Sequence, residues 1–305
     1  MYTESDILFM YAETSVHVGG GESVGAIDLA VAREQYTDFP FIPSSGVKGA
    51  VRSWFDKQTK TEGSQISEDD ISTIFGPENE SSEHAGAAIF TDARILLFPV
   101  RSLKGVFAWV TCPLILERFN RDLRLAKIEG KTVEVPQPDN DKVIVSESSE
   151  NTFDKKVVLE EYSFDYEKKD IASLVEFLKQ AFPDTPEYDY WKNKLNSNLI
   201  IMSDDDFRDF AKSSTEVQAR IKIVSETKTV KDGGLFYQEN LPSDTLMYSV
   251  AATHDSFKEK DDRKATELFK NLQALNTQSI QLGGNESIGK GIFNLNFYQR
   301  NGGNS

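Results

Sequence analysis

Apolar positions gather into strand-like runs near both ends of the chain. Residues 7–11 (ILFMY) are apolar enough for a buried strand, and residues 292–297 alternate between apolar and polar side chains. Further strand candidates lie at 87–100, 105–111, 221–224, 235–237, 246–248 and 279–282. The pattern predicts a core that is built from the two ends of the chain.

The first predicted helix follows Pro43, and its apolar positions recur at helical spacing to form a buried stripe: Val47, Val51, Trp54 and Phe55. Ser44 or Ser45 is expected to cap this helix, because a serine oxygen accepts a free amide of the first turn. Lys48 and Arg52 lie four residues apart on an adjoining face. We therefore expect two cations to project together near the helix start.

The middle of the chain differs from its ends. Residues 128–215 are more acidic and less regularly apolar, with helices expected at 170–182 and 205–212. The run at 204–206 (DDD) is better explained by a helix N-terminus, where the dipole favours negative charge, than by a metal site. We interpret the chain as one composite domain with three parts: a core of about 1–127 and 243–300, an insertion of about 128–215, and a protruding hairpin of about 220–242.

Length and charge limit the classes of function. The 305 residues suffice for a real core, and the net charge of −15 argues against non-specific nucleic-acid binding by the whole surface, although a local basic groove remains compatible with it. We expect no signal peptide or membrane span, because the required apolar runs are missing. The single cysteine, Cys112, fits a reducing cytoplasm, and with three histidines a His/Cys zinc site is not expected.

The most informative segment is the glycine-rich loop at 283–293 (GGNESIGKGIF). Glycine lets a backbone approach its neighbours closely, so the loop, with Lys290, is predicted to turn amides toward a phosphate. The spacing of Gly284, Gly289 and Lys290 matches a nucleotide-binding P-loop. That interpretation fails, because Gly291 stands where Ser or Thr is required and a strand follows instead of a helix. A hairpin loop without a ligand is the alternative.

A second glycine-rich loop, residues 17–28 (HVGGGESVGAID), carries further candidates for chemistry. Its glycines miss the dinucleotide-binding spacing, and no helix follows directly. Asp28 is a candidate to bind a divalent cation or to orient a reacting hydroxyl. A turn residue that bonds local amides explains it as well, and these residues alone favour the turn.

Several segments together resemble one protein family. Residues 39–52 (FPFIPSSGVKGAVR) resemble the helix entry of CRISPR RAMP proteins, and the loop at 283–293 resembles the C-terminal glycine motif of that superfamily. Residues 25–29 (GAIDL) and 98–113 (FPVRSLKGVFAWVTCP) narrow the resemblance from the whole superfamily to one group within it. The chain, from about residue 7 to 298, looks like a backbone subunit of type III-B (Cmr) CRISPR effector complexes.

The resemblance implies an α+β fold, with an RRM-like or ferredoxin-like palm, inserted finger elements and a β-hairpin thumb. Several copies are expected to stack head to tail along a CRISPR guide RNA in the cytoplasm, with other Cmr subunits that include the large polymerase-like and small helical ones. Each thumb is expected to displace a nucleotide of the guide–target duplex, beside which target RNA is cut. By position the thumb is the hairpin of 220–242, with four residues expected near its tip: Lys228, Lys231, Leu235 and Phe236.

The resemblance also implies site residues. The family's catalytic aspartate corresponds to Asp28, expected to act as base or as a ligand of Mg²⁺ or Mn²⁺ while a 2′-hydroxyl attacks. His17 either assists or is purely structural, and Glu239, near the thumb base, is an auxiliary catalytic candidate. RNA is expected at ten positions of the first helix and the C-terminal loop: Ser44, Ser45, Lys48, Arg52, Gly283, Gly284, Asn285, Ser287, Gly289 and Lys290.

Two other functions stay open. The chain is alternatively a purely architectural guide-RNA-binding subunit, in which Asp28 is only a turn residue. The third interpretation is a RAMP-fold endoribonuclease that processes guide precursors without partner subunits.

Overall fold

The computed structural model describes residues 2–20, 27–63, 66–78, 83–139 and 141–300. Within them the helices are α1 (Ser44–Thr59), α2 (Glu68–Phe75), α3 (Pro113–Leu125), α4 (Ala172–Lys179), α5 (Asp189–Asn198), α6 (Asp204–Ser213) and α7 (Ala265–Leu272). The strands are β1 (Glu4–Ala12), β2 (Phe41–Ile42), β3 (Ala88–Phe90), β4 (Ala93–Arg101), β5 (Phe107–Thr111), β6 (Lys142–Val145), β7 (Thr152–Phe153), β8 (Lys156–Leu159), β9 (Tyr162–Lys168), β10 (Leu199–Ile201), β11 (Glu216–Ile223), β12 (Val230–Asn240), β13 (Leu246–Thr253), β14 (Ser279–Gln281) and β15 (Ile292–Phe297).

Six of these elements form the palm. In chain order they are β1, α1, β4, β13, α7 and β15, and the four strands lie side by side as β15-β1-β13-β4 with every neighbouring pair antiparallel. This order of strands and helices is the ferredoxin-like arrangement. The predicted α+β fold with an RRM-like palm is therefore confirmed, and both ends of the chain contribute to it.

The sheet continues beyond the palm into the segment of 128–215. β10 pairs in parallel with β5, β6 pairs with β10, and β9, β8 and β7 follow toward the edge. α4 lies within the stretch that was expected to be helical, and α6 extends one residue beyond each end of its predicted stretch. The strands β6 to β9 were missed in the sequence because they are short and only partly apolar.

Helix α3 is fixed to the sheet by aromatic packing and by one buried carboxylate. The ring of Phe119 lies 4.8 Å from that of Tyr248 and 6.0 Å from that of Phe9, centre to centre. Asp122 accepts a hydrogen bond from the Tyr248 hydroxyl at 2.9 Å and one from Arg94 Nη1 at 2.7 Å. Because a buried charge is costly unless it is paired, these partners determine where α3 sits.

Helix α1 begins at Ser44, but the predicted serine cap is wrong. Pro43 is the N-cap residue, and the amide of Ser44 donates to Asp92 Oδ1 at 2.7 Å. Neither Ser44 nor Ser45 makes a side-chain capping bond within the described part of the chain. A carboxylate from the connection between β3 and β4 satisfies the helix start instead.

β11 and β12 form a separate two-stranded antiparallel sheet, the thumb hairpin, which spans residues 216–240. Its base is joined to the palm where Leu241 and Val16 exchange backbone hydrogen bonds of 2.8 and 2.9 Å. The hairpin was expected at about 220–242 and is present there.

Among the described helices none is long and apolar enough to span a membrane.

One guanidinium holds α2 to the chain that precedes α7. Arg263 contacts the carboxylates of Asp69, Asp70 and Asp261 at 2.6 to 2.7 Å. Its hydrogen bonds hold the pKa of Asp261 well below the usual range. Hydrogen bonding from Lys258, helped by Arg263, lowers the pKa of Asp69.

We predict that Arg263→Met, which keeps most of the side-chain volume, lowers the free energy of unfolding at pH 7 by about 1–3 kcal/mol. The half-exposed Asp69 contributes the smaller share because water screens it. Carboxyl groups with lowered pKa values stabilise the fold above their unfolded-state pKa of about 4, and this stabilisation is lost as the pH falls toward the folded-state values. Urea unfolding measures this at pH 7 and pH 3. The difference in unfolding free energy between the parent and Arg263→Met should be smaller at pH 3.

Lys270→Met, at an exposed position of α7, is the matched control and should leave the urea midpoint nearly unchanged at both pH values. A loss of stability in Arg263→Met that is equal at pH 7 and pH 3 would show that packing, rather than ion pairing, is the cause.

Candidate functional site

A short arm of the chain, residues 27–33, runs alongside the base of the thumb hairpin. Leu29 N donates to Tyr237 O at 3.0 Å, and Glu239 N donates to Leu29 O at 2.9 Å. Asp28 is exposed at the start of the arm, and its Oδ2 accepts a hydrogen bond from Tyr237 N at 2.7 Å. The arm and β12 therefore hold the Asp28 carboxylate at the place where the thumb leaves the palm.

Both carboxylate oxygens of Glu239 are engaged by protein donors. Oε2 accepts from Val31 N at 2.9 Å, and Oε1 accepts from Thr215 Oγ1 at 2.8 Å and from the Arg33 guanidinium. The side chain is 3% exposed, so the charge of Arg33 is needed to offset the cost of burial. This set of contacts, the Glu239 clamp, fixes the arm to the thumb and gives Glu239 a positioning role. A part in proton transfer stays a prediction.

His17 also contacts β12. Its Nδ1 lies 2.7 Å from Glu239 O, and because a carbonyl oxygen only accepts, Nδ1 donates the hydrogen bond. In the neutral ring the lone pair is then on Nε2. A Cβ atom on Gly19 would lie 3.5 Å from Nε2, so this nitrogen faces the first glycine loop. The residues of that loop at 21–26, Gly21 and Gly25 among them, lie outside the described part of the chain.

The C-terminal glycine loop packs against the segment that carries His17. Gly284 N donates to His17 O at 2.8 Å, and Gly291 N donates to Ser15 O at 2.9 Å. Gly283 has a φ of +90°, and a Cβ there would lie 2.5 Å from His17 O. Glycine is required at this position because both the backbone conformation and the space exclude a side chain. The close approach predicted from the sequence is to the protein itself.

Some amides of this loop are already hydrogen-bonded within the protein. Five of them donate to backbone carbonyls: Gly284, Ile288, Gly289, Lys290 and Gly291. The expectation that the loop turns its amides toward phosphate is therefore corrected for these five. RNA contacts by Gly283, Asn285 and Ser287, and by the side chain of Lys290, stay predictions.

Two side chains of the loop tie it to the palm and to the thumb. Lys290 Nζ donates to Ser15 Oγ at 2.7 Å. Asn285 has a left-handed backbone with φ +67°, and its Oδ1 accepts from Arg220 Nη1 at 2.7 Å. The same Nη1 donates to Gln238 Oε1 at 2.6 Å. Arg220 therefore links the glycine loop to both strands of the thumb hairpin.

Lys48 and Arg52 contact a different part of the protein. Lys48 Nζ donates to Ala88 O, and Arg52 Nη1 donates to Gly76 O, both at 2.9 Å. Burial, followed by the neighbouring charge of Arg52, lowers the pKa of Lys48. The two cations were predicted to project together near the helix start, and in the structure each is partly satisfied by a backbone carbonyl. RNA contact through their remaining N–H groups stays a prediction.

The two ends of α1 make different contacts. The Asp92 carboxylate accepts the hydrogen bond of the Ser44 amide, so a negative charge lies near the place where a phosphate was expected to bind. At the other end Lys57 lies 3.6 Å from Glu286 of the glycine loop. It is therefore the end of α1, and not the pair at its start, that reaches the glycine loop.

The thumb hairpin has two unlike faces. On one face the charged groups of Arg220 and Lys222 lie 5.6 and 5.7 Å from the ring centre of Phe236. The opposite face, the apolar thumb face, carries large side chains that are each at least 41% exposed: Val217, Ile221, Ile223, Val230, Leu235 and Tyr237. Lys228 and Lys231 are exposed near the turn. Leu235 and Phe236, predicted together, thus lie on opposite faces.

The protein ligands for a metal ion are few. In the part of the chain that the structure covers, no three His, Cys, Asp or Glu side chains come together as a possible metal site. Asp28 alone does not bind a divalent ion firmly, because Mg²⁺ requires near-octahedral coordination by oxygen. The described residues therefore do not supply three protein ligands for a metal ion, and metal binding at Asp28 stays a prediction.

Sequence reasoning missed three residues that shape this site. Arg33 and Thr215 hold the Glu239 carboxylate, and Arg220 bridges the thumb and the glycine loop. A signal existed only for Arg33, a charge directly after the small apolar run at 29–32. Its partner lies 206 residues away, which a single sequence does not reveal.

Comparison with known proteins agrees with this architecture. The family model of the RAMP superfamily matches residues 9–294. The chain is 41% identical over 287 residues to the CRISPR system Cmr endoribonuclease Cmr4 of Pyrococcus furiosus, covering 93% of this chain and 92% of that protein. It is 28% identical to the CRISPR system CMR subunit Cmr4 of Saccharolobus solfataricus, covering 96% of each.

A solved structure is also similar. The crystal structure of oligomeric Cmr4 from Pyrococcus furiosus superposes with a TM-score of 0.73 at 35% identity, covering 96% of this chain and 98% of that one. The chain therefore belongs to the RAMP superfamily and, within it, to the Cmr4 family of CRISPR subunits.

Proposed function

We propose that this chain is a guide-RNA-binding backbone subunit of a type III-B CRISPR effector and that it cleaves complementary target RNA at regular intervals. The 41% identical relative is named an endoribonuclease, and the chain has the palm and thumb that such a role requires. Its partners are the guide RNA, the target RNA, further copies of itself and the other Cmr subunits.

The position of Asp28 is the observation that supports cleavage. Its carboxylate is exposed, while Oδ2 is held by Tyr237 N at the base of the thumb hairpin. A thumb hairpin that displaces one nucleotide bends the RNA backbone next to the point where the hairpin leaves the palm. The bend then occurs next to a fixed carboxylate.

Asp28 acts in this proposal as the general base. It takes the proton of a ribose 2′-hydroxyl, the 2′-oxygen attacks the adjacent phosphorus, and the bond to the 5′-oxygen of the next nucleotide breaks. The products are a 2′,3′-cyclic phosphate and a 5′-hydroxyl, whose oxygen takes up a proton. In-line alignment of the bent strand supplies part of the rate, and the base contributes about 10²–10⁴-fold.

Guide RNA is held through phosphates and 2′-hydroxyls, since contacts to base edges would make binding depend on the guide sequence. The cationic face of the thumb with Arg220 and Lys222 suits this purpose, as do Lys290 and the free N–H groups of Lys48 and Arg52. The acidic remainder of the chain, which carries a net charge of −15, limits indiscriminate RNA binding.

A divalent ion, Mg²⁺ or Mn²⁺, belongs to the proposal only as a partner of the RNA. Asp28 offers one carboxylate, so phosphate oxygens and water would have to supply most of the ligands. Such an ion neutralises charge that develops on the phosphate. Loss of cutting in EDTA with unchanged guide binding would support its presence.

A prediction on the chemistry concerns Asp28→Asn, which keeps the shape of the side chain and its hydrogen bond to Tyr237. We expect the rate of target cutting in the assembled complex to fall about 10²–10⁴-fold, because the amide does not accept the proton. Labelled target RNA with several cleavage sites measures this, and guide binding should not change.

Asp205→Asn, at a highly exposed aspartate of α6, is the control and should cut at the normal rate. If the Asp28→Asn complex still cuts at every site, the chain is an architectural subunit and the base is elsewhere. Site-specific cutting of repeat RNA by the isolated chain would instead favour guide-precursor processing.

The second prediction separates the Glu239 clamp from the chemistry. Glu239→Gln keeps one acceptor oxygen, which serves either Val31 N or the pair of Thr215 and Arg33. Part of the clamp survives, so we expect cutting within about tenfold of the parent, with the same shape of pH–rate profile. If Glu239 transferred a proton, the loss would reach about 10²–10⁴-fold. Glu239→Ala removes the whole clamp and should lower both cutting and the unfolding temperature, because the mostly buried Arg33 then keeps its bonds to two backbone carbonyls but loses its carboxylate partner.

A further inference from the structure

The end of helix α3 carries cations that the proposed function does not use. Arg121, Arg124 and Lys127 recur every third residue, so they form a ridge along one side of the helix. All three are exposed, and Lys131 in the following turn is exposed as well. These four exposed cations form a local positive surface on a chain whose net charge is −15.

A cleft of about 630 Å³ opens beside this ridge. The four cations line it together with the turn of 128–132, and Glu117 and Glu129 are the two carboxylates in its wall. The apolar residue of the lining, Ile128, is buried. The centre of a protein–protein interface is usually apolar and poor in charge, so this polar and mainly cationic wall suits a polyanion better than a protein partner.

Most of these charges are not used within the protein. The side chains of Arg124 and Lys131 have no hydrogen bond or ion pair to any residue that the structure describes. Arg121 Nε lies 3.6 Å from Asp122, but that carboxylate already accepts from an arginine and a tyrosine of the sheet. The charged groups of the ridge are therefore available to an anion.

The last carbonyls of α3 do not need these cations either. Positive side chains at the end of a helix often offset its carbonyl dipoles. Here the Tyr2 hydroxyl donates to Leu125 O. Ala126 O accepts from Ser5 Oγ at 2.9 Å and from Arg300 Nη2 at 3.0 Å. Donors from both ends of the chain thus satisfy the end of the helix, and the ridge is left for another partner.

The turn that follows α3 adds backbone donors to the cleft. Among the described residues, no acceptor takes the amides of 129–132. Asn120 fixes the end of this turn, because its Nδ2 donates to Val133 O at 3.0 Å and its Oδ1 accepts from Val133 N at 2.7 Å. Successive unpaired amides in a fixed turn are typical ligands of phosphate oxygens.

A second cleft, of about 470 Å³, shares the ridge and adds an aromatic ring. It is lined by the three ridge residues together with Tyr2, Asp122 and Leu125. Lys127 Nζ lies 5.3 Å from the centre of the Tyr2 ring and donates to Tyr2 O at 2.9 Å. Rings beside cations bind single-stranded nucleic acids, because bases stack on the ring while phosphates meet the cations. We call the ridge and its two clefts the α3 groove.

The α3 groove is remote from the thumb base. Ser5, which bonds the end of α3, lies at the start of β1. His17 and the thumb base lie beyond the other end of this strand. The nine residues of β1 span about 30 Å at about 3.3 Å per residue. A strand in the groove is therefore separate from the one that is bent beside Asp28.

We propose that the α3 groove binds a segment of single-stranded RNA. Its phosphates contact Arg124, Lys131 and the free amides of the turn, and one base stacks on Tyr2. Such contacts do not read base edges, so binding does not depend on sequence. The inference goes beyond the proposed function, because neither Asp28 nor the thumb hairpin takes part.

Titration with a labelled oligouridylate tests the groove. The full chain is first assembled on a guide RNA that does not pair with the oligonucleotide, and binding is followed by fluorescence anisotropy between about 50 and 200 mM salt. For Arg124→Gln/Lys131→Gln we expect about tenfold weaker binding at the lowest salt. The slope of log K against log salt should fall by about 1.4, because each phosphate contact on a single strand contributes about 0.7.

Matched variants separate charge from stacking. Lys155→Gln/Lys270→Gln removes two charges from exposed positions elsewhere and should keep the affinity and the slope of the parent. Tyr2→Leu should weaken binding about fivefold or more with an unchanged slope, since it removes a stacking surface and no charge. Tyr2→Phe keeps the ring and should bind nearly as the parent does.

Three results would overturn the proposal. The first is a groove double variant that binds like the Lys155→Gln/Lys270→Gln pair. The second is unchanged binding by Tyr2→Leu, which would mean that the cations attract any polyanion. The third is normal RNA binding by the double variant with weaker binding of an acidic Cmr subunit, which would make the groove a protein-docking surface.

Failure of the proposed function would look different. A chain that does not assemble on guide RNA in sedimentation would contradict the role as a backbone subunit. The same titration on the unassembled chain would still test the α3 groove, because the salt slope and the effect of Tyr2→Leu do not depend on assembly or on cutting.

Discussion

The buried carboxylate of Glu239 is the interaction on which the arrangement of the site depends. A carboxylate that is 3% exposed must be hydrogen-bonded and paired with a positive charge, and here the donors come from two separate segments. Val31 and Arg33 belong to the arm that carries Asp28, and Thr215 directly precedes the thumb hairpin. Satisfying one buried charge therefore fixes the arm, the thumb and the chain just before the thumb relative to one another.

The glycines of the C-terminal loop follow from the same requirement for close packing. Gly283 and Gly291 have positive φ values, and a Cβ on either would collide with a backbone carbonyl of this protein. The loop therefore packs against the His17 segment, while Asn285 accepts a hydrogen bond from Arg220 of the thumb. A glycine pattern that resembles a phosphate loop serves here to bring two stretches of backbone together.

Rigid support also characterises the candidate base. Asp28 is exposed, but its Oδ2 is held by Tyr237 N at the base of the thumb hairpin. The cost of ordering this carboxylate is therefore met within the folded chain. The hairpin itself has a cationic face with Arg220 and Lys222 and an opposite apolar face.

By itself the sequence determined the palm strands, helices α1, α4 and α6, the thumb hairpin and the candidate role of Asp28. These depend on the period of apolar residues, on turn-forming residues or on short motifs, all of which are encoded within a few positions. Only the tertiary structure decided three contacts: the cap of α1 by Asp92, the pairing of Arg33 with Glu239 across 206 residues, and the bridge by Arg220. A side chain's partner depends on which segments the strand order brings together, and a local pattern does not contain that information.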